Sequence, residues 1–181
     1  RHNLEVDFFG GEPLMNFDVV KRLVEYARSI ENEKGKHFRF TLTTNGMLID
    51  DDVIDFANRE MDNVVLSLDG RREVNDRFRK TAGGQGSFDV IVPKFQKFVK
   101  ARGDKSYYMR GTFTHFNPDF TKDIQTMLDL GFNELSMEPV VCPPADAYAL
   151  TEEDKQTVLK EYEKLAVMML EREKQGKPFT F

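Results

Sequence analysis

The sequence predicts an α/β fold of parallel strands joined by crossover helices, and three observations carry that prediction. Short, apolar, β-prone runs alternate with helix-periodic segments along the whole chain. Each strand–helix unit takes roughly 30 residues, the length a parallel crossover requires. The strand runs are too apolar for a sheet wetted on both faces, so helices must cover at least one. An open sheet and a barrel both satisfy this pattern.

The elements follow in order. Glu5–Phe9 is a strand ended by Gly10-Gly11. Asn16 is placed to cap a helix whose face carries Val20, Leu23, Val24, Ala27 and Ile30, with Gly35 as its stop. Phe38–Thr43 is the second strand, closed by Asn45-Gly46. Asp50–Asp52 put negative charge at the start of a short helix bearing Val53, Ile54 and Ala57. Val64–Leu68 is a buried strand ending at Asp69-Gly70.

A polar excursion is expected from Arg71 to Gly86, with its arginines solvated and paired to Glu73 and Asp76. Ser87 opens a helix with Ile91, Phe95, Phe98 and Val99 on one face, and Pro93 predicts a kink or a separate first turn. Tyr107–Thr114 is strand. Asn117-Pro118 predicts a cap with proline at the first helical position, in a helix ending at Gly131. Leu135–Val141 is a fifth strand, broken by Pro139. Thr151 with Asp154 makes a capping box for a long helix through Leu159, Tyr162, Leu165, Met169 and Leu170.

Composition narrows the function. The 181 residues carry 26 basic against 31 acidic side chains, a net charge of −5, which argues against a protein that coats nucleic acid. The one cysteine, Cys142, excludes an internal disulfide framework and a self-contained Cys₄ site, and predicts a reducing, cytoplasmic setting. No run of about 18 apolar residues is present to span a membrane. His2, His37 and His115 are scattered without metal-ligand spacing. Ser67 lacks the glycine elbow of a hydrolase nucleophile, and Gly83-Gly84-Gln85-Gly86 lacks the Lys-Ser/Thr of a phosphate loop. Met168 and Met169 read as core filler.

In parallel βα folds, ligands bind beyond the carboxyl ends of the strands. Those positions read Gly10-Gly11-Glu12-Pro13, Thr44-Asn45-Gly46, Ser67 with Asp69-Gly70, Arg110–Thr114, and Glu138-Pro139. Each glycine dipeptide alone is an ordinary turn. Their repetition at one class of position predicts a small-molecule site. Two adjacent glycines let a ligand approach the main chain, Glu12 can accept from an ammonium group, and Ser67 can meet a ribose or a carboxylate.

These residues also carry a family resemblance. Phe8-Phe9-Gly10-Gly11-Glu12-Pro13-Leu14 resembles the second-strand motif of radical S-adenosylmethionine (SAM) enzymes, and Thr43-Thr44-Asn45-Gly46 resembles the end of their third strand. Ser67-Leu68-Asp69-Gly70, then Asn75-Asp76, Arg79 and Gly86-Ser87-Phe88-Asp89, is similar to the subgroup with a SPASM-type extension. That subgroup includes anaerobic sulfatase-maturating enzymes and peptide maturases. Runs such as Arg110-Gly111-Thr112-Phe113-Thr114 and Glu138-Pro139-Val140-Val141 are most similar to thioether-forming maturases of six-cysteine (SCIFF) precursor peptides.

The resemblance implies a partial (β/α)₆ TIM-like barrel lacking its first strand and cluster loop. It implies SAM and a 4Fe–4S cluster as cofactors, a Cys-rich precursor peptide as substrate, and an electron donor for the parent enzyme. Gly10, Gly11, Glu12 and Pro13 would hold the methionine amino end of SAM. Ser67 would meet its ribose or carboxylate, and Arg110 its carboxylate. Asn45, Asp69, Met137 and Glu138 would line the adenosine and substrate side. No metal ligand is expected in the chain, because the Cys-x₃-Cys-x₂-Cys loop and the cysteine-rich extension are absent from it. Cys142 is expected to be a buried or incidental thiol.

The opening at Arg1 and the strand-like close at Phe179-Thr180-Phe181 predict a fragment, residues 1–181, of a larger barrel, with a sheet edge open to association. The other readings are a sulfatase-maturating-type enzyme and a non-catalytic α/β binding module. No nucleic-acid or membrane partner is expected.

Overall fold

The computed structural model describes residues 1–181. Five parallel strands are present: β1 (Asn3–Phe8), β2 (His37–Thr44), β3 (Asn63–Ser67), β4 (Tyr107–Phe113) and β5 (Leu135–Pro139). Six α-helices join them: α1 (Phe17–Lys34), α2 (Asp51–Glu60), α3 (Arg72–Phe78), α4 (Phe88–Arg102), α5 (Thr121–Asp129) and α6 (Glu152–Lys174). The chain divides into two compact units, one of residues 1–67 with 90–107, the other of 68–89 with 108–181.

In the first unit, β1 pairs with β2 from Asn3 opposite His37 to Phe8 opposite Leu42. β2 pairs with β3 from Thr41 opposite Asn63 to Thr44 opposite Leu66. Phe40, Leu42, Val64 and Leu66 are buried from β2 and β3, while Ala57 of α2 and Ile91, Phe95 and Phe98 of α4 are buried from the helices. α4 runs as one helix through Pro93, so its first turn is not separate. Arg102 ends it as a buried cation whose guanidinium donates to the carbonyls of Ala57 (3.1 Å), Met61 (2.9 Å) and Ser106 (2.7 Å). Burial pushes its pKa down to about 10.

In the second unit, β4 pairs with β5 from Met109 opposite Leu135 to Phe113 opposite Pro139. The Leu135 N–H donates to the carbonyl of Thr180, and the Thr180 N–H to that of Asn133, so a further parallel bridge lies beside β5. Three expectations are corrected here. The polar excursion contains α3, and Val74 and Asn75 are buried. Helix α5 starts at Thr121, four residues after Asn117. Instead of capping it, Asn117 accepts from the Thr114 N–H and hydroxyl at 2.9 and 2.8 Å and donates to Asp123 at 3.1 Å. On α6 only Asp154, Glu161 and Leu165 are buried, and Leu159, Tyr162 and Leu170 are exposed, so the long apolar face is mostly uncovered. The Thr151–Asp154 cap does form, with the carboxylate accepting from the Thr151 N–H (2.8 Å) and hydroxyl (2.9 Å).

Candidate functional site

In the first unit the site begins where β1 runs out. Gly10 has φ +133°, a conformation that excludes ordinary side chains, and a Cβ added to Gly10 or Gly11 would meet nothing within 4 Å. Packing therefore does not demand glycine at either position. The open space leaves this stretch of main chain approachable by a ligand.

Glu12 follows and caps a short 3₁₀ turn, Pro13–Asn16, accepting from the Leu14 N–H at 3.1 Å; Pro13 occupies the first position of that turn, where no N–H is needed. The same carboxylate reaches the end of β2. It accepts from the Thr44 hydroxyl at 2.9 Å and the Asn45 N–H at 2.7 Å. All three donors are neutral dipoles, so the carboxylate is oriented with its negative charge uncompensated. Thr44 is buried and its hydroxyl also accepts from the Gly46 N–H at 3.1 Å. Asn45 spends its side-chain oxygen on the Met47 N–H at 3.0 Å. Gly46 is fixed by φ +83° and by Phe95, which a Cβ would meet at 2.4 Å. Ser67 is half-buried at the end of β3.

The second unit uses its strand ends differently. Asp69 is only 4% exposed, and the Arg79 guanidinium grips it with two bonds of 2.8 and 2.9 Å. It also accepts from the Thr112 N–H of β4 at 3.0 Å, so its acceptor sites are spent inside the fold. The Asn75 side chain donates to Asp76 (3.0 Å) and Ser87 (3.1 Å), while Asp76 accepts from the Phe88 N–H at 2.8 Å and so caps α4. A Cβ on Gly86 would fall 2.2 Å from the Asp76 carboxylate. The residues that carried the subgroup resemblance, from Asp69 to Phe88, form one buried polar network.

Arg71 extends this network, bonding Asp119 and Asp123 at 2.7 Å each, which raises its pKa. The arginines thus pair with Asp69, Asp119 and Asp123, and Arg72 with Asp89, rather than with Glu73 and Asp76 as expected. On β4 and β5, Arg110 donates to Glu138 at 2.7 Å on the surface. Met137 is buried, with its sulfur 2.3 Å from where a Gly111 Cβ would lie.

The structure thus brings Glu12 together with Asn45, and Arg110 with Glu138, but commits Asp69 to Arg79. Thr44, Gly111 and Thr112 stand among the strand-end positions and in the motifs of the resemblance, but the sequence pointed to none of them as a site residue; their bonds and contacts to Glu12, Met137 and Asp69 lie far apart in the chain.

The residues present fit one implied cofactor and not the other. Open glycine backbone beside an uncompensated carboxylate suits the ammonium end of SAM. A 4Fe–4S cluster finds no fit: no three His, Cys, Asp or Glu side chains converge as metal ligands, and Cys142 is a free, half-buried thiol. Burial and then Asp146 push its pKa up, away from the thiolate that iron requires.

These features define the class: a parallel βα fold with a glycine turn and an oriented carboxylate past its first strand. The chain belongs to the Radical SAM superfamily, whose family model matches residues 4–131. That family uses SAM and a 4Fe–4S cluster. Among curated relatives, the radical SAM cyclopropyl synthase TigE of Paramaledivibacter caminithermalis is 26% identical over 160 residues, which is 80% of this chain and 32% of that protein. The cysteine-type anaerobic sulfatase-maturating enzyme of Clostridium novyi is 31% identical over 91 residues, 50% of this chain and 24% of that protein. The chain therefore spans about a third or less of these relatives. Among solved structures, native anSMEcpe with bound AdoMet and Kp18Cys peptide superposes with a TM-score of 0.86 at 23% identity, over 99% of this chain and 50% of that one. That likeness shows the fold.

Proposed function

We propose that residues 1–181 are the SAM-binding part of the core barrel of a cytoplasmic radical SAM peptide maturase, acting on a Cys-rich precursor peptide to form thioether cross-links. The observation that carries the SAM reading is the Glu12 carboxylate, aimed by Leu14, Thr44 and Asn45 and neutralised by none of them. Such a group attracts the ammonium of SAM while the Gly10-Gly11 backbone accepts its approach. Ser67 and Arg110 are further contacts to the ribose and carboxylate in this reading, and Asn45, Met137 and Glu138 support the adenosine and substrate side, while Asp69 acts only through the fold it holds with Arg79 and Thr112. When bound with the cluster, SAM supplies hydrogen abstraction. The cluster ligands belong, in this proposal, to a Cys-x₃-Cys-x₂-Cys segment outside these residues, and the SPASM-type extension likewise.

Calorimetric titration of SAM into the chain tests the site. Glu12→Gln keeps the hydrogen-bonding shape and removes the charge, and it is expected to weaken SAM at least tenfold. Equal affinity removes Glu12 from the ligand site. The peptide chemistry is tested by co-expressing the parent protein with a Cys-rich precursor and counting thiols by alkylation and mass spectrometry. A thioether product is two hydrogens lighter and one thiol poorer per link, and an unchanged thiol count overturns the thioether assignment. A sulfatase-maturating-type activity is the second reading, favoured by the relative from Clostridium novyi.

A further inference from the structure

Arg77 and the aromatic rings around it are not used by anything described above. Its neighbours Arg71, Arg72 and Arg79 are all neutralised by aspartates. Arg77 is exposed and has no carboxylate within ion-pair distance; its guanidinium lies 4.5 Å over the Phe116 ring. Phe116 stacks with Phe78 at 6.3 Å, and Phe78 meets Tyr148 edge-on at 5.6 Å. Phe78 and Phe116 are 43% and 44% exposed, unusually open for two phenylalanines in contact.

The backbone beneath these exposed rings is fixed. Phe78 is followed by Arg79, locked on Asp69. The Phe116 N–H donates to the Thr114 hydroxyl at 3.1 Å, inside the turn held by Asn117 and Asp123. Rings held this way present apolar area at little entropic cost, which is what a docking surface needs. A concavity of about 80 Å³ opens beside them, lined by Arg71, Glu73, Arg77, Phe78 and Phe116. Glu73 lines it without pairing to Arg77.

We propose that Arg77, Phe78, Phe116 and Tyr148 form a docking surface for a peptide segment in which a carboxylate side chain stands next to an aromatic one. The carboxylate pairs with Arg77, the one arginine of the segment lacking an acidic partner, and the aromatic ring packs on Phe78 and Phe116. This rests on the peptide-substrate reading above and adds to it a surface that holds the substrate and the residues that surface selects. Neither Arg77 nor the three aromatic residues belongs to the SAM site proposed above, so recognition and chemistry are separable by mutation.

The test is fluorescence anisotropy of the chain with a fluorescein-labelled peptide containing Asp-Phe beside a cysteine, and with counterparts carrying Lys-Phe or Asp-Ala. The Asp-Phe peptide is expected to bind at least tenfold tighter than either counterpart. Arg77→Gln removes the preference for Asp over Lys, Phe116→Ala removes the preference for Phe over Ala, and Arg72→Gln, whose arginine is spent on Asp89, changes neither. Circular dichroism confirms that each variant is folded. Binding of all three peptides at wild-type strength by Arg77→Gln and Phe116→Ala overturns the docking surface and leaves the peptide reading standing. Absence of any peptide binding by the wild type overturns both. Tighter binding of a single-stranded oligonucleotide, lost in Phe116→Ala, overturns the choice of a peptide.

Discussion

Glu12 and Asp69 both follow a strand, yet they are opposites. Glu12 is half-buried and held by three neutral donors, whereas Asp69 is buried and held by a guanidinium. A carboxylate oriented by dipoles keeps its charge for a ligand, and one gripped by arginine has given it to the fold. The comparison separates an available carboxylate from a committed one inside motifs that look equally functional in sequence.

The largest effect should come from breaking the second unit's pair. Arg79→Ala strands a buried carboxylate, and its cost is expected to be about 3 kcal/mol, read as a lower urea midpoint with an unchanged m-value. A loss below about 1 kcal/mol would mean that Asp69 is solvated and available, and the contrast would fail. Thr44→Val comes next. It leaves the Gly46 N–H without its partner and removes one of the two donors to Glu12 Oε1, at an expected cost of about 1–2 kcal/mol, with SAM affinity falling in parallel; Thr44→Ser should recover both.

Two acids of the second unit, Asp119 and Asp154, give the contrast a pH signature, which a third, Asp123, raised by its burial, opposes. Burial pushes the Asp154 carboxyl up, but bonds from Thr151 and His115 more than offset it, leaving its pKa lowered. At Asp119, burial is likewise outweighed by Arg71 and Lys122. A depressed folded-state pKa contributes stability above the unfolded value near about 4, and that contribution is lost as pH falls through the lower folded value. Urea midpoints should therefore fall below about pH 4, and Asp119→Asn should flatten the fall. A midpoint rising with acid in that range would contradict these pairings. The smallest effect is at Arg110→Gln, which removes a surface pair with Glu138 and should cost under about 1 kcal/mol. A larger loss would place Arg110 among the structural arginines.

Helix and strand order was legible because apolar periodicity reports burial directly, as at Val64–Leu66 and along α4. The same rule misread α6, where Leu159, Tyr162 and Leu170 have helical spacing but no partner, since periodicity shows which face could be buried and not whether anything covers it. Pro93 misled for a different reason. It predicts a missing hydrogen bond, yet the buried packing of Ile91, Phe95 and Phe98 holds α4 together through it. Asn117-Pro118 offered a local cap, and a longer-range bond to Asp123 prevailed.

The sequence by itself determined the parallel βα order, the glycine turn after the first strand and the absence of a cysteine set, because each follows from local spacing or composition. Only the tertiary structure decided what each charged side chain does. Glu12 meets Thr44 and Asp69 meets Thr112 across 32 and 43 residues of chain. Coulombic and hydrogen-bonding partners are chosen by distance in space, and no local pattern records it.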